Sequence, residues 1–522
     1  MKWLGGASPW ILGALFAVLY PLGTPGYDQY WISFASLVPL IALSVSAGDA
    51  KKAAARAALA GAAANLPLFY WIVYTVAVQG KLGWPLGCLA AFLVSAYMGA
   101  YISAAGFFIH KLQGRYGQRG LWVFPIVWTG LEYARSVLLT GFPWMLSGYA
   151  LTGSTVLMQA ADLAGVFGLG FLLAASNVCL YMAGKRLAEG ERRRALAALA
   201  GPAAILVFLF SYGSYRMSER RAAPDNPGVR VVIAQGGIDQ AIKWAPAFQR
   251  ETLEIYEALS REARAKGAEV IVWPETAAPF FYGWEAEMSR EVDRIASEAR
   301  APLIFGAPWF SPSEGGKYYN SVFLLDRRGV PAGRYDKRHL VPFGEYIPLR
   351  TVLFFMKKLT EGGEDFASGT GTALFPVSGG PAGASVCYEA VFPEIIRDSV
   401  LGGARWLVNV TNDAWFGDTV APHQHLAMAR MRSVEFRRPM VRAANAGISA
   451  LIDARGEVVA RLGLSRRGTL SGEIAPDTRM TVYAKMGDLF AISCIIITFL
   501  TLCTFLRGSD GIRTSGRKIR RA

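Results

Sequence analysis

The chain has 522 residues, of which 53% are hydrophobic and 18% charged, and it carries a formal net charge of +15. So much apolar surface excludes a disordered chain and a protein that is water-soluble throughout, and the length suggests about two or three domains. The excess of cations does not argue for nucleic acid, because much of it lies in short loops between apolar runs and in the C-terminal tail, where membrane topology and anionic lipid account for it.

In chain order, the apolar runs are Leu4 to Leu22, Trp31 to Ala47, Ala57 to Val78, Trp84 to Phe108, Leu121 to Leu138, Gly165 to Ala183, Ala195 to Tyr212 and Leu489 to Leu506. At roughly 20 residues per crossing they predict about eight transmembrane helices, about seven of them before a long polar region and one after it. Pro21 and Gly23 cut the first run short. A signal peptide is not expected there, since no small-residue cleavage site follows and further spans do.

Cations cluster after alternate runs. Lys51, Lys52 and Arg56 follow the second, and His110, Lys111, Arg115 and Arg119 follow the fourth. Lys185, Arg186 and Arg192 to Arg194 follow the sixth, and the tail carries Arg507, Arg513, Arg517, Lys518, Arg520 and Arg521. The positive-inside rule then places both termini in the cytoplasm and the polar region on the outer face. Arg216, Arg220 and Arg221 run against the rule, as long translocated domains tolerate. Glu132 and Arg135, at i, i+3 in the fifth run, read as a structural ion pair. The expected organisation is a membrane bundle over 1–225, an outer domain over 226–485, and a final span with a basic cytoplasmic tail over 486–522.

Between the spans, short apolar strands alternate with amphipathic helices. "VRVVIAQG", "EVIVWPE", "APLIFGAPW", "NSVFLLDRRG", "GASVCYE", "RWLVNVTND" and "ISALIDARG" read as strands ending in turn residues. "PAFQRETLEIYEALSREARAKG" reads as a helix ending at Gly267, and "EMSREVDRIASEAR" as another. This alternation predicts one layered α/β domain with helices covering sheet faces.

Polar residues gather just past the strand ends, where open α/β sheets place their sites. Glu275 follows "VIVWP", Lys337 and Glu345 lie in "YDKRHLVPFGEYIP", Cys387 ends "GASVCYE" beside Tyr388 and Glu389, and Asn412 and Asp413 end "LVNVTND". Of the five cysteines, Cys88, Cys179, Cys494 and Cys503 lie in apolar runs, leaving Cys387 as the lone thiol of the polar region. No disulfide can form within that domain. His423 and His425, at i, i+2, are poorly spaced as metal ligands on a helix, so no metal site is expected.

A thiol, a carboxylate and an ammonium at three strand ends suggest a nucleophile, its base and an oxyanion stabiliser. A thiol is mostly protonated at neutral pH, so a base must take its proton as it attacks. Taken singly, each residue also has an ordinary reading as packing, turn or surface.

The surrounding strings are more specific. "WPETAAP", "KRHLVPFGEYIP", "CYE" and "TNDAWFGDTVAPHQHLAMARMRSVEFRRPMVRAANAGISALIDARG" resemble the nitrilase-type domain of the apolipoprotein N-acyltransferase family, and "QGGIDQAIKW" and "GFPWMLSGYA" extend the resemblance over nearly the whole chain. The resemblance implies an α-β-β-α sandwich beside the membrane bundle, and a Glu-Lys-Cys triad. Residue by residue, it implies Glu275 as general base, Lys337 as stabilising lysine, Cys387 as nucleophile, and Trp244, Glu345, Tyr388 and Glu389 in supporting roles. The chain reads "QGGIDQ" where the family more often has Asn after "QG", and "TND" where "SND" is common.

The implied reaction takes an acyl chain from a membrane phospholipid to a thioester and passes it to the free N-terminal amine of a diacylated apolipoprotein, with no cofactor. The setting it implies is a bacterial inner membrane, and the protein reads as a monomer. Two alternatives are a membrane-tethered amidase acting on a small periplasmic amide, and a transporter with a vestigial outer domain. Finally, Leu349, Val352, Leu353, Phe354, Phe355 and Met356, followed by Lys357 and Lys358, suggest an interfacial arm that admits lipid to the site.

Overall fold

The computed structural model describes residues 8–219, 228–240, 243–348 and 365–518. The segment that holds the expected interfacial arm lies outside them. The chain divides into two compact units: Met1–Phe69, Ala91–Arg216 and Met486–Ala522 form one, and Tyr70–Ala90 and Met217–Lys485 the other.

The first unit is helical, and helices also make up the Tyr70–Ala90 part of the second. Four stretches are long and apolar enough to cross a membrane: Trp84–Thr140, Leu157–Ala188, Arg192–Ser218 and Leu489–Arg507. A fifth is added if the broken pair Ala50–Phe69 and Trp71–Gln79 is one span, and Pro9–Leu22 and Tyr30–Val45 are shorter apolar helices. Among the described residues the eight expected spans fall largely on helix, but length and apolar content support only four or five crossings. The difference has local causes. Pro21 lies in the last turn of the first helix and Gly23 caps it, while Pro67 precedes the break after Phe69. The stretch from Trp84 runs through one helix to Tyr116, then a 3₁₀ segment, then a second helix over Phe124–Val137.

Small residues let these helices touch. A Cβ on Gly106 would stand 2.5 Å from the Cβ of Ala57, so the two backbones approach closely at that crossing. Glu132 accepts the backbone N–H of Ser147 (2.6 Å) and its hydroxyl (2.9 Å). Arg135 lies 3.9 Å from the same carboxylate and donates to the carbonyls of Trp144 and Met145. The pair ties down the buried "PWMLS" turn, and its groups are satisfied by protein, as a structural role requires.

In the second unit, twelve strands form two sheets of six. The first sheet contains β1 (Val229–Gln235), β2 (Val270–Val272), β3 (Leu303–Ser311), β4 (Lys317–Leu325) and β5 (Pro331–Asp336). The second contains β6 (Leu374–Phe375), β7 (Ala382–Val386), β8 (Trp406–Thr411), β9 (Met440–Ala444), β10 (Ser449–Ile452) and β11 (Val458–Leu462). β12 (Gly468–Ile474) returns to the first, giving the orders β12-β1-β2-β3-β4-β5 and β11-β10-β9-β8-β7-β6. Each sheet has a parallel core, β1-β2-β3 or β7-β8-β9, flanked by antiparallel strands.

Val231, Ile233, Val272 and Ile304 of the first sheet pack with Val386, Val408, Val410 and Val441 of the second in one buried core. The outer face of the first sheet is covered by the helices Pro246–Ala265 and Ala286–Ala299, and that of the second by residues of Pro393–Leu401 and Ala421–Phe436. The layers are thus helix, sheet, sheet, helix. Parallel strands covered on both faces read as continuous apolar runs, which is why β1, β2 and β8 stand out in the sequence.

The helix Pro246–Ala265 shows how local signals anchor the site. Pro246 starts it, Gly267 just beyond its end has φ +70°, and Leu253, Tyr256, Leu259 and Ala263 bury one stripe. Tyr256 stacks on Trp273 at 4.8 Å, and the Trp273 indole donates to Ser260 (3.0 Å). Trp273 leads straight to Glu275. Truncating so large a buried ring costs roughly 3–5 kcal/mol, so the approach to Glu275 is firmly held.

Candidate active site

The expected residues converge past the ends of the strands. Glu275 and Thr276 follow β2, and Thr276 adopts φ +46°. That turn presses on Gly306 of β3, where a Cβ would come within 2.6 Å of the Thr276 nitrogen and 2.7 Å of the Glu275 Cα. Lys337 follows β5. Its ammonium is buried, 2.9 Å from Glu345 and 3.9 Å from Glu275. Asn320 of β4 donates through its amide nitrogen to both carboxylates, at 2.8 Å each. Glu345 is itself held by the Val341 N–H (2.8 Å).

Cys387 follows β7 with φ +49°, a left-handed backbone that costs an ordinary L-residue roughly 1–2 kcal/mol. The residue is buried, with its thiol within the fields of Glu275 and Lys337. Burial, reinforced by the Glu275 charge, pushes its pKa up to about 12 against the opposing pull of Lys337. Burial thus favours the protonated thiol at rest, and attack by the sulfur calls for a base. Glu275 suits that role, since burial raises its pKa, Lys337 pulls it back, and Glu345 raises it again. Lys337 loses affinity for its proton through burial but regains more from Glu345 and Glu275, so it stays charged.

Glu389 binds the two halves of the site together. Its carboxylate accepts the Val386 N–H (2.7 Å) just before Cys387, the Arg338 N–H (2.6 Å) just after Lys337, and the Tyr335 hydroxyl (2.9 Å). A carboxylate buried among such donors is satisfied without a counter-ion, and it fixes Cys387 and Lys337 on one frame. Tyr388 packs its ring edge-on against Phe392 at 5.0 Å. Trp244 is partly buried, and among the described residues it takes no part in this polar network.

The sequence alone gives several further contributors no role in the site. Lys243, beside Trp244, is buried and donates to the Glu275 carbonyl (3.1 Å) and the Thr276 hydroxyl (2.5 Å). Burial lowers its pKa to about 7 although the Glu275 charge opposes the shift. Behind Cys387, His425, Asp413, Arg442 and Asn409 form a buried polar cluster. The Cys387 sulfur, an Asp413 oxygen and a His425 nitrogen lie within 4.8 Å of one another, a spacing compatible with a metal ion. Arg442, however, stands 2.8 Å from Asp413 and 2.9 Å from His425. A guanidinium already there supplies the positive charge and repels another, so the set suits a hydrogen-bonded network rather than a cation.

The two-sheet domain, with its buried cysteine, glutamate and lysine beyond strand ends, is of the carbon-nitrogen hydrolase class, and the family model described as "Carbon-nitrogen hydrolase" matches residues 230–483. A second model, "Apolipoprotein N-acyltransferase N-terminal domain", matches residues 16–179. The chain is 39% identical over 488 residues to an apolipoprotein N-acyltransferase of Geobacter metallireducens, covering 92% of each chain. It is 38% identical over 434 residues to one of Methylococcus capsulatus, covering 82% of each. The chain belongs to the apolipoprotein N-acyltransferase family. A solved amidase from Nesterenkonia sp. matches 49% of this chain and 94% of its own at 17% identity and a TM-score of 0.37, too loose a likeness to argue from.

Proposed function

We propose that this acyltransferase works by a thioester on Cys387. Glu275 takes the thiol proton while Sγ attacks the ester carbonyl of a membrane phospholipid. Lys337 and backbone N–H groups stabilise the oxyanion that develops. The C–O bond then breaks, and Glu275 returns the proton to the departing glycerol oxygen, leaving a lysophospholipid and a thioester. In the second half, the free N-terminal amine of a diacylated lipoprotein attacks the thioester carbonyl. Glu275 accepts the amine proton, the C–S bond breaks, and the sulfur leaves as the thiol when that proton passes to it.

One observation carries this reading: Cys387, Glu275 and Lys337 are all buried past the strand ends, Lys337 stands 3.9 Å from Glu275, and burial with the Glu275 charge pushes the Cys387 pKa up. That combination needs a base at the moment of attack and supplies one. Glu345, Tyr388, Glu389 and Trp244 are the supporting residues, with Glu345 and Glu389 orienting the triad. The substrates are membrane-anchored, which raises their effective concentration at a site beside the membrane.

The setting proposed is a bacterial inner membrane, with about seven spans in 1–225, the catalytic domain over 226–485 on the periplasmic side, and a last span and cytoplasmic tail over 486–522. Family membership weighs against the small-amide amidase and the transporter. Mass spectrometry of purified protein after incubation with phospholipid tests the route: an acyl adduct on the Cys387 peptide is expected, and its absence alongside continuing transfer would overturn the thioester.

A further inference from the structure

The Cys387 carbonyl accepts two hydrogen bonds from side chains that the reaction itself does not use. His425 Nε2 lies 3.1 Å from it and Asn409 Nδ2 3.3 Å. Both donors are oriented by Arg442. Its Nη1 donates to Asn409 Oδ1 (2.6 Å), which turns the amide nitrogen towards Cys387, and its Nη2 donates to Asp413 Oδ2 (2.8 Å). Asn409, Asp413, His425 and Arg442 are all buried. They come from β8, the turn after it, the helix Ala421–Phe436 and β9, so four segments of the second sheet and its covering helix layer meet behind one carbonyl.

The proton positions follow from the partners. A carbonyl only accepts, so Nε2 of His425 must carry hydrogen. Nδ1 faces an acceptor, Asp413 Oδ1, and a donor, Arg442 Nη2, both at 2.9 Å. A neutral ring accepts from Arg442 through Nδ1, and a charged ring donates from Nδ1 to Asp413. In either state the Nε2 proton stays on Cys387. Burial and the Arg442 charge favour the neutral ring.

We propose that His425 is a positioning residue for the nucleophile: held by Arg442 and Asp413, it locks the left-handed backbone of Cys387 by donating Nε2–H to its carbonyl. The lock answers a specific need. At φ +49° the residue is strained, and relaxation to an ordinary backbone would swing the thiol away from Glu275. Glu389 restrains the chain one residue earlier, through the Val386 N–H, and His425 and Asn409 restrain it at Cys387 itself. A misplacement of about 1 Å at a reacting atom costs about 10²-fold in rate.

The inference rests on Cys387 being the nucleophile, and the test separates the two. His425→Gln, His425→Asn and His425→Leu are compared in the full-length protein in detergent. The measurements are single-turnover acylation of Cys387 by a phosphatidylethanolamine in mixed micelles, steady-state kcat and KM, and thermal unfolding. Gln reproduces a donor at the Nε2 position, Asn reaches only as far as Nδ1, and Leu has none. Acylation is expected to fall by about 10² or more in the Leu and Asn variants with KM within about twofold of wild type, and to recover to within about tenfold in the Gln variant. Equal losses in Gln and Leu, tracking equal losses in thermal stability, would make His425 mere packing. Wild-type rates in the Leu variant would also overturn the lock. If wild-type Cys387 takes up no acyl group while transfer proceeds, the thioester route itself is wrong.

Discussion

The Lys337 ammonium lies 2.9 Å from Glu345 and 3.9 Å from Glu275. The lysine's close partner is therefore Glu345, while the candidate base, whose pKa burial raises, is left with a weaker opposing pull from Lys337. Glu345 also repels charge on Glu275. Replacing Glu345 with Gln removes that repulsion and frees Lys337 to move onto Glu275, so the pKa of the base falls. The acidic limb of the acylation rate is expected to shift to lower pH, because Glu275 must be ionised to act. The rate plateau should drop by roughly 10²-fold as the weaker base and displaced lysine cost catalysis. An unmoved limb would show that Glu345 does not set the base.

Within the triad the two charged members should fail differently. Glu275→Gln keeps the shape and the Asn320 contact but removes the base, so thioester formation is expected to fall by roughly 10² or more. Lys337→Arg keeps the charge in a planar, bulkier group that cannot fit the same buried point between two carboxylates, so a severe loss is expected there as well. Wild-type single-turnover rates in Lys337→Arg would exclude precise oxyanion placement by that residue.

Lys243 offers a stability test with a definite sign. Its folded pKa of about 7 lies below the ordinary value of 10.5, because burial disfavours the charge. Between those two values the unfolded chain binds more protons than the folded one, so stability rises with pH there. The penalty is full below about pH 7 and fades as pH climbs towards about 10.5. The Tm of wild type relative to Lys243→Met should therefore rise between about pH 6 and pH 9. A flat difference would mean that the folded protein does not depress this lysine.

Much of the site was legible, and the reason is local. Glu275 and Cys387 each follow a strand whose continuous apolar run announces itself, whereas Lys337, beyond the less regular β5, stands out only through the long string around it. Lys243, Asn320, Asn409 and Arg442 are not marked in that way, because each is a polar residue inside or beside a stretch that reads as ordinary core or loop. His425 was legible only as a poor metal ligand. Its helix, Ala421–Phe436, is buried almost all round, so it lacks the amphipathic period by which Pro246–Ala265 and Ala286–Ala299 were found. β5, β9, β11 and β12 escaped for a related reason: Arg334, Arg442, Arg461 and Glu473 interrupt their apolar pattern, although their places in the sheets are set by neighbouring strands. The membrane spans were found by apolar content, yet Pro21 and Pro67 break them more than content reveals.

The side of the membrane is testable at Ser313, which is exposed in the turn Pro312–Glu314 between β3 and β4. Ser313→Cys should react with a membrane-impermeant maleimide in cells whose inner membrane is intact. Labelling only after lysis would put the catalytic domain in the cytoplasm.

The sharpest geometric prediction concerns a methyl group. Gly306 lies in β3, donates its N–H to the Pro274 carbonyl (3.1 Å) and accepts from the Ala278 N–H (3.2 Å), so the turn carrying Glu275 is stitched to it on both sides. A Cβ there would meet the Thr276 nitrogen at 2.6 Å, the Glu275 Cα at 2.7 Å and the Pro274 carbonyl oxygen at 2.8 Å. All three are backbone or Cα atoms, with no flexible side-chain end to swing aside. Gly306→Ala must therefore push the Glu275 turn outwards, at an overpacking cost of roughly 1–3 kcal/mol. The protein should still fold, with a modestly lower Tm, because the strand pairs on both edges and the clash is confined to one turn. Acylation of Cys387 is expected to fall by about 10²-fold, since the base moves by a substantial part of 1 Å from the thiol it serves. Full-rate acylation in a folded Gly306→Ala variant would show that the placement of Glu275 does not limit the attack.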